Sequence, residues 1–139
     1  MSLSTISAVD AQSTKTNVIN VVLVHGAFAD GSSWSKVIPL LQAKGIHVIA
    51  VQNPLTSLAD DVAATKRAIA LLKGPVLLVG HSWGGVVISE AGNDPNVAGL
   101  VYVAAFAPDD AQSLIDASQS VPPAPDFLKR NPMLLVFYP

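Results

Sequence analysis

Apolar residues in this chain fall into short, nearly continuous runs that alternate with stretches of helical spacing. Residues 18–24 are β-branched and apolar almost throughout, the pattern of a parallel strand covered on both faces, and they end at His25-Gly26. Trp34, Val37, Ile38 and Leu41 then recur at helical spacing, with Ser32 and Ser33 as candidate N-caps and Gly45 as a stop. Residues 46–51 predict a second strand, closed by the turn-forming pair Asn53-Pro54. Ser57 followed three residues later by Asp60 resembles a capping box, and Leu58, Val62, Thr65, Ile69 and Leu72 step by four and three towards Gly74, predicting a second helix. Residues 75–79 predict a third strand, which runs into Gly80-His81-Ser82-Trp83-Gly84-Gly85 and a helix through about Ala91. After the turn Asn93-Asp94-Pro95-Asn96, residues 100–105 predict a fourth strand.

Strand and helix alternate throughout, and each parallel crossover needs a helix on one face of the sheet. The expected fold class is therefore α/β: a doubly wound, mostly parallel sheet with helices on both faces. Regularity fails from Pro108, because five of the ten prolines lie between Pro122 and Pro139. Three stretches result: a flexible Ser/Thr-rich leader over residues 1–17, a core over 18–107, and an irregular tail over 108–139. Within the tail, residues 133–138 are apolar enough for one edge strand between flanking prolines.

Composition narrows the function. A 139-residue chain with 50% hydrophobic and 13% charged residues has ample material for one buried core. The net charge is −2 and the eight Lys and Arg are scattered, so no footprint for nucleic acid or anionic lipid forms. The absence of cysteine excludes disulfides and a thiol nucleophile. The first seventeen residues lack a signal-peptide pattern, and the longest nearly apolar stretch, 97–107, is far below the roughly 20 residues that span a bilayer as a helix. A soluble, cytoplasmic protein without metal or cofactor is expected.

The candidate chemistry lies in Gly80-His81-Ser82-Trp83-Gly84. A serine hydroxyl attacks an acyl carbon only if it is exposed, deprotonated by a base and faced by donors for the developing oxyanion. In G-x-S-x-G the serine sits on a strained turn from strand to helix, where flanking glycines let backbones approach closely. An apolar strand precedes this turn and a helical pattern follows, which places Ser82 at a helix N-terminus. One oxyanion donor is the N–H of the residue after the serine, Trp83, and the second comes from the loop after an earlier strand, where Ala27 is the candidate. Gly26, Gly80, Gly84 and Gly85 support the elbow and the loop, with His25 shaping the loop and His81 packing beside the serine.

Four segments, His25-Gly26-Ala27, residues 31–34, residues 80–85 and Ala104-Ala105-Phe106-Ala107-Pro108-Asp109, together resemble the methylesterase and hydroxynitrile lyase branch of the α/β-hydrolases. The resemblance covers roughly residues 18 to 112 and implies a truncated α/β-hydrolase fold carrying the nucleophile half. Lyases of that branch typically carry Thr after the first His and Glu before the serine; this chain has Gly26 and His81, as the esterases do. The resemblance implies a serine hydrolase of small carboxylic esters. Its pattern then departs: the expected order is Ser, acid, His, whereas His25, His47 and His81 all precede the nucleophile. Triad acid and base stay unassigned, and turnover is expected to be weak.

The remaining candidates have plainer readings. His47 reads as a surface or strand-end histidine, Asp109 and Asp110 as the start of a loop or helix, and Trp34 and Trp83 as core residues that could also line a pocket. A non-catalytic relative that binds a small ligand or associates with itself is the alternative function. A homodimer is expected in either case, because the fourth strand has the apolar character of a strand buried on both faces and an uncovered edge templates another chain.

Overall fold

The computed structural model describes residues 20–108. The leader, the tail and the expected strand at 133–138 lie outside the described residues, as do residues 18 and 19 of the first expected strand. Four strands, β1 (Asn20–Val24), β2 (His47–Ala50), β3 (Val76–His81) and β4 (Val97–Val103), form one parallel sheet in the order β2-β1-β3-β4. The helices are α1 (Ile38–Gln42), α2 (Leu58–Ala70) and α3 (Trp83–Ala91), with a 3₁₀ turn over Gly31–Trp34 before α1.

Alternation along the strands sorts the core. Val22, Val24, Val76 and Leu78 belong to a cluster with Val62, Ala68 and Ile69 of α2 and Val87, Ile88 and Ala91 of α3. Val21 and Leu23 point the other way, into a cluster with Trp34, Val37, Ile38 and Leu41. Helices thus cover both faces, as the apolar runs predict. The chain leaves β1 towards β2 with its helix on one face, then crosses back over β1 to β3 with α2 on the other, and right-handed crossovers require that change of face. Strand order reverses between β1 and β3, so the crevice at their carboxyl ends is where this class of sheet binds ligands.

Several local expectations are corrected. The first helix is broken into the 3₁₀ turn and the five-residue α1, with Pro39 in the first turn of α1. Neither Ser32 nor Ser33 caps it: Asp30 does, its carboxylate accepting from the Ser32 N–H at 2.8 Å. The Ser32 hydrogen bonds hold the Asp30 carboxyl below the usual carboxylate range. At α2 the expected cap is present, with Ser57 Oγ accepting from the Asp60 N–H at 3.1 Å and donating to its Oδ2 at 2.7 Å. Hydrogen bonds from the Thr56 and Ser57 hydroxyls lower the Asp60 pKa in the same way. The fourth strand begins at Val97 rather than at residue 100, carries a register shift between Val97 and Gly99 opposite Val76/Leu77, and ends at Val103. It is not buried on both faces: Val101, Tyr102 and Val103 are each more than a third exposed.

Candidate active site

Ser82 joins β3 to α3 with φ 52° and ψ −118°, a left-handed conformation that costs a non-glycine residue about 1–3 kcal/mol. Its surroundings hold it there. The Ser82 N–H donates to the Ala104 carbonyl at 3.2 Å, and the Ser82 carbonyl accepts from Gly85 at 2.9 Å and Phe106 at 3.4 Å. The segment after β4, with Ala104 itself at φ 42°, therefore clamps the turn from outside. Ser82 occupies the N-cap position of α3, yet its side chain makes no capping hydrogen bond, so the half-buried hydroxyl is not spent on the helix.

Close approach explains the glycines. A Cβ at Gly84 would overlap the Val24 carbonyl, and one at Gly80 would overlap the Gly84 carbonyl. Only bare backbone lets the first turn of α3 press against the ends of β1 and β3. Gly85 lies equally close to Phe106 and Ala105, and a Cβ at Gly26 would stand 3.1 Å from Ser82 Cβ and 3.4 Å from His81 Nδ1. The β1 loop and the elbow are thus brought together at the switch point.

The two expected oxyanion donors occupy suitable elements. Trp83 is the first residue of α3, where the backbone N–H has no acceptor within the helix. Ala27 is exposed in the turn closed by the Ala29 N–H and the Gly26 carbonyl at 3.2 Å, and its own N–H donates to no acceptor among the described residues. Both amides and the α3 dipole can stabilise a negative oxygen.

The histidines divide. His25 is fully buried: Nε2 accepts from the Asn53 N–H at 3.0 Å, so Nδ1 carries the proton and donates to the Gly26 carbonyl at 2.8 Å. With both nitrogens engaged, its ring shapes the loop and has no lone pair left for a proton from Ser82. His81 is exposed, and its ring lies perpendicular to that of buried Trp34, with 6.5 Å between the ring centroids. His47 is exposed at the start of β2, away from the elbow. Asp109 and Asp110 lie outside the described residues. Among the described residues no group of three or more His, Cys, Asp or Glu could hold a metal ion, and no helix is long and apolar enough to cross a membrane.

Two residues were missed in the sequence. Asp61, buried on α2, accepts from Trp83 Nε1 and from the Leu55 N–H, both at 2.8 Å. Asn53, also buried, donates from Nδ2 to the His25 carbonyl at 3.2 Å as well as from its backbone to the His25 ring. A signal existed: Asp61 and Thr65 fall on the apolar stripe of α2, where a charged residue needs a partner.

Comparison with known proteins follows the same lines. The alpha/beta hydrolase family matches residues 21–139. The pyrethroid hydrolase of Sphingobium wenxiniae is 36% identical over 101 residues, covering 63% of this chain and 36% of that protein. Methylesterase 7 of Arabidopsis thaliana is 35% identical over 112 residues, 68% of this chain and 43% of its own length. A solved pyrethroid hydrolase from Sphingobium faniae superposes with a TM-score of 0.64 at 27% identity, over 78% of this chain and 48% of that one. The chain spans less than half the length of each of these relatives. A match over most of the chain, on a sheet whose switch point carries a strained serine at a helix start, makes this chain a member of the α/β-hydrolase family, with relatives among the methylesterases and hydroxynitrile lyases.

Proposed function

We propose that this chain is a carboxylic ester hydrolase of small esters in which Ser82 is the nucleophile and the backbone N–H groups of Ala27 and Trp83 form the oxyanion hole. The observation that carries the reading is Ser82 itself, strained, uncapped and set at the start of α3 beside the β1 loop. Attack by Ser82 Oγ on the ester carbonyl forms a C–O bond, gives up the hydroxyl proton to water, and places negative charge on the carbonyl oxygen, which the two amides receive. Collapse breaks the ester C–O bond, the leaving oxygen takes a proton from water, and the acyl-serine left behind is hydrolysed by water to the acid and free Ser82. Relatives named as hydrolases and esterases support ester hydrolysis over other chemistry.

Turnover that relies on the described residues alone is slow, because the buried His25 ring is engaged on both sides. Loss of the base from a serine hydrolase costs about 10⁶ in turnover, whereas the oxyanion hole and binding retain roughly 10³–10⁴ over water. Activated aryl esters, whose leaving group needs little protonation, are hydrolysed slowly, and alkyl esters negligibly. Measured on p-nitrophenyl acetate and ethyl acetate, the aryl preference disappears only if an acid–base pair is present, and Ser82→Ala abolishes the aryl activity. A folded protein that binds esters with no Ser82-dependent turnover would instead be the non-catalytic binding relative.

A homodimer is the companion reading, supported by β4. That strand pairs only with β3 among the described residues and leaves Val101, Tyr102 and Val103 over a third exposed. Sedimentation at micromolar concentration gives a dimer; a stable monomer contradicts it.

A further inference from the structure

The buried carboxylate of Asp61 has no place in the acyl-transfer scheme, yet it touches the residue next to the nucleophile. Its two oxygens are both used: Oδ2 accepts from the Trp83 indole at 2.8 Å, and Oδ1 accepts from the Leu55 N–H at 2.8 Å. Leu55 has φ 58°, a left-handed conformation that a leucine adopts only when something holds it. Two residues earlier, Asn53 grips His25 through both its backbone N–H and its side-chain amide. His25 in turn bonds the Gly26 carbonyl, one residue before Ala27.

These contacts form one continuous bridge. It runs from the β1 loop (His25, Gly26) through the loop after β2 (Asn53, Leu55) to Asp61 on α2, and from Asp61 to the first residue of α3. The two segments that carry the oxyanion amides are therefore tied to one another across the sheet's end, and Asp61 is where the elbow side is fastened. We infer that Asp61 is a positioning residue that fixes the first turn of α3, and with it Ser82 and the Trp83 amide, through its hydrogen bond to the Trp83 indole.

A carboxylate suits this task better than an amide. Both of its oxygens accept, matching two N–H donors, whereas an asparagine must turn its NH₂ towards one of them. Asp61→Asn thus keeps the volume and loses one bond, while leaving a donor facing a donor. Its one oxygen can keep either Leu55 or Trp83, so Trp83→Phe is needed to assign the effect to the indole bond. That variant removes the indole bond from the other side and retains an aromatic ring. An error of about 1 Å at a reacting centre costs on the order of 10²-fold, so a loosened first turn is visible in the rate.

The inference rests on the hydrolase reading for its catalytic consequence, and two measurements on the full chain separate them. The first is hydrogen exchange by NMR at the elbow's own amides, Ser82 bonded to Ala104 and Gly85 bonded to Ser82, compared with the amides of β1. The second is the rate at which a fluorophosphonate labels Ser82, normalised to the folded fraction from circular dichroism. Asp61→Asn and Trp83→Phe should each speed exchange at the two elbow amides at least tenfold, with β1 unchanged, and slow labelling about tenfold. The double variant should lose less than threefold more than either single, because both remove one bond. Elbow exchange that is unchanged in both variants, or losses that multiply in the double, would overturn the positioning role. A wild-type protein that takes no label sinks the hydrolase reading, and the exchange comparison alone then decides the role of Asp61.

Discussion

β1 and β4 read alike as sequences, Asn-Val-Val-Leu-Val and Val-Ala-Gly-Leu-Val-Tyr-Val, yet all five residues of β1 are buried and none of β4 is. The difference is position in the sheet. β1 has β2 and β3 on its two edges and packed helices on both faces, whereas β4 has β3 on one edge among the described residues and α3 packed against it. An apolar run shows that a segment belongs in a sheet; its neighbours decide how deeply it is buried. The candidate site lies at the carboxyl end of the central pair, where bare glycine backbone at Gly80 and Gly84 lets α3 approach β1 and β3 closely. That is why a serine at φ 52° can be held there.

The comparison can be broken by substitution. Gly84→Ala should have the largest effect, because the new Cβ meets the Val24 carbonyl and backbone cannot yield as a side chain can. A loss of about 4 kcal/mol or more is expected in urea unfolding, in the range reserved for specific structural conflicts. A loss under about 1 kcal/mol would mean that α3 does not press on β1. Leu78→Ala, which empties a fully buried position in β3, should cost about 3 kcal/mol. Ser57→Ala removes the cap of α2 and should cost about 1 kcal/mol, with an unchanged denaturant slope. Val101→Thr on β4 should have the smallest effect: under about 0.5 kcal/mol in the dilute chain, as at an ordinary surface site, and larger where the proposed dimer covers the strand, so that the unfolding midpoint rises with concentration. A loss equal to that at Leu78 at every concentration would show that β4 is buried within a single chain.

The elements that position the site were legible because each follows from local rules. Period and cap fixed α2 from Ser57, and the five-residue pattern around Ser82 located the strand-to-helix turn that the structure contains. The break after Trp34 was not legible, since Trp34, Val37, Ile38 and Leu41 keep helical spacing across both pieces. Asp30 as the cap was not legible, because Ser32 and Ser33 stand nearer the apolar residues. The bridge through Asn53, Leu55 and Asp61 joins residues far apart in sequence with no shared motif, and sequence spacing carries no record of such contacts. The engagement of both His25 nitrogens belongs to the same class.

The central claim is that this strained serine is the reacting atom's carrier, and covalent trapping addresses it most directly. The chain is incubated with a fluorophosphonate, digested and mapped by mass spectrometry, beside Ser82→Ala and a heat-denatured control. The account predicts a single phosphonyl adduct on Ser82 in the folded protein, with none in Ser82→Ala or after denaturation. An adduct on another residue, an adduct that survives in Ser82→Ala, or a folded protein that takes none would contradict it.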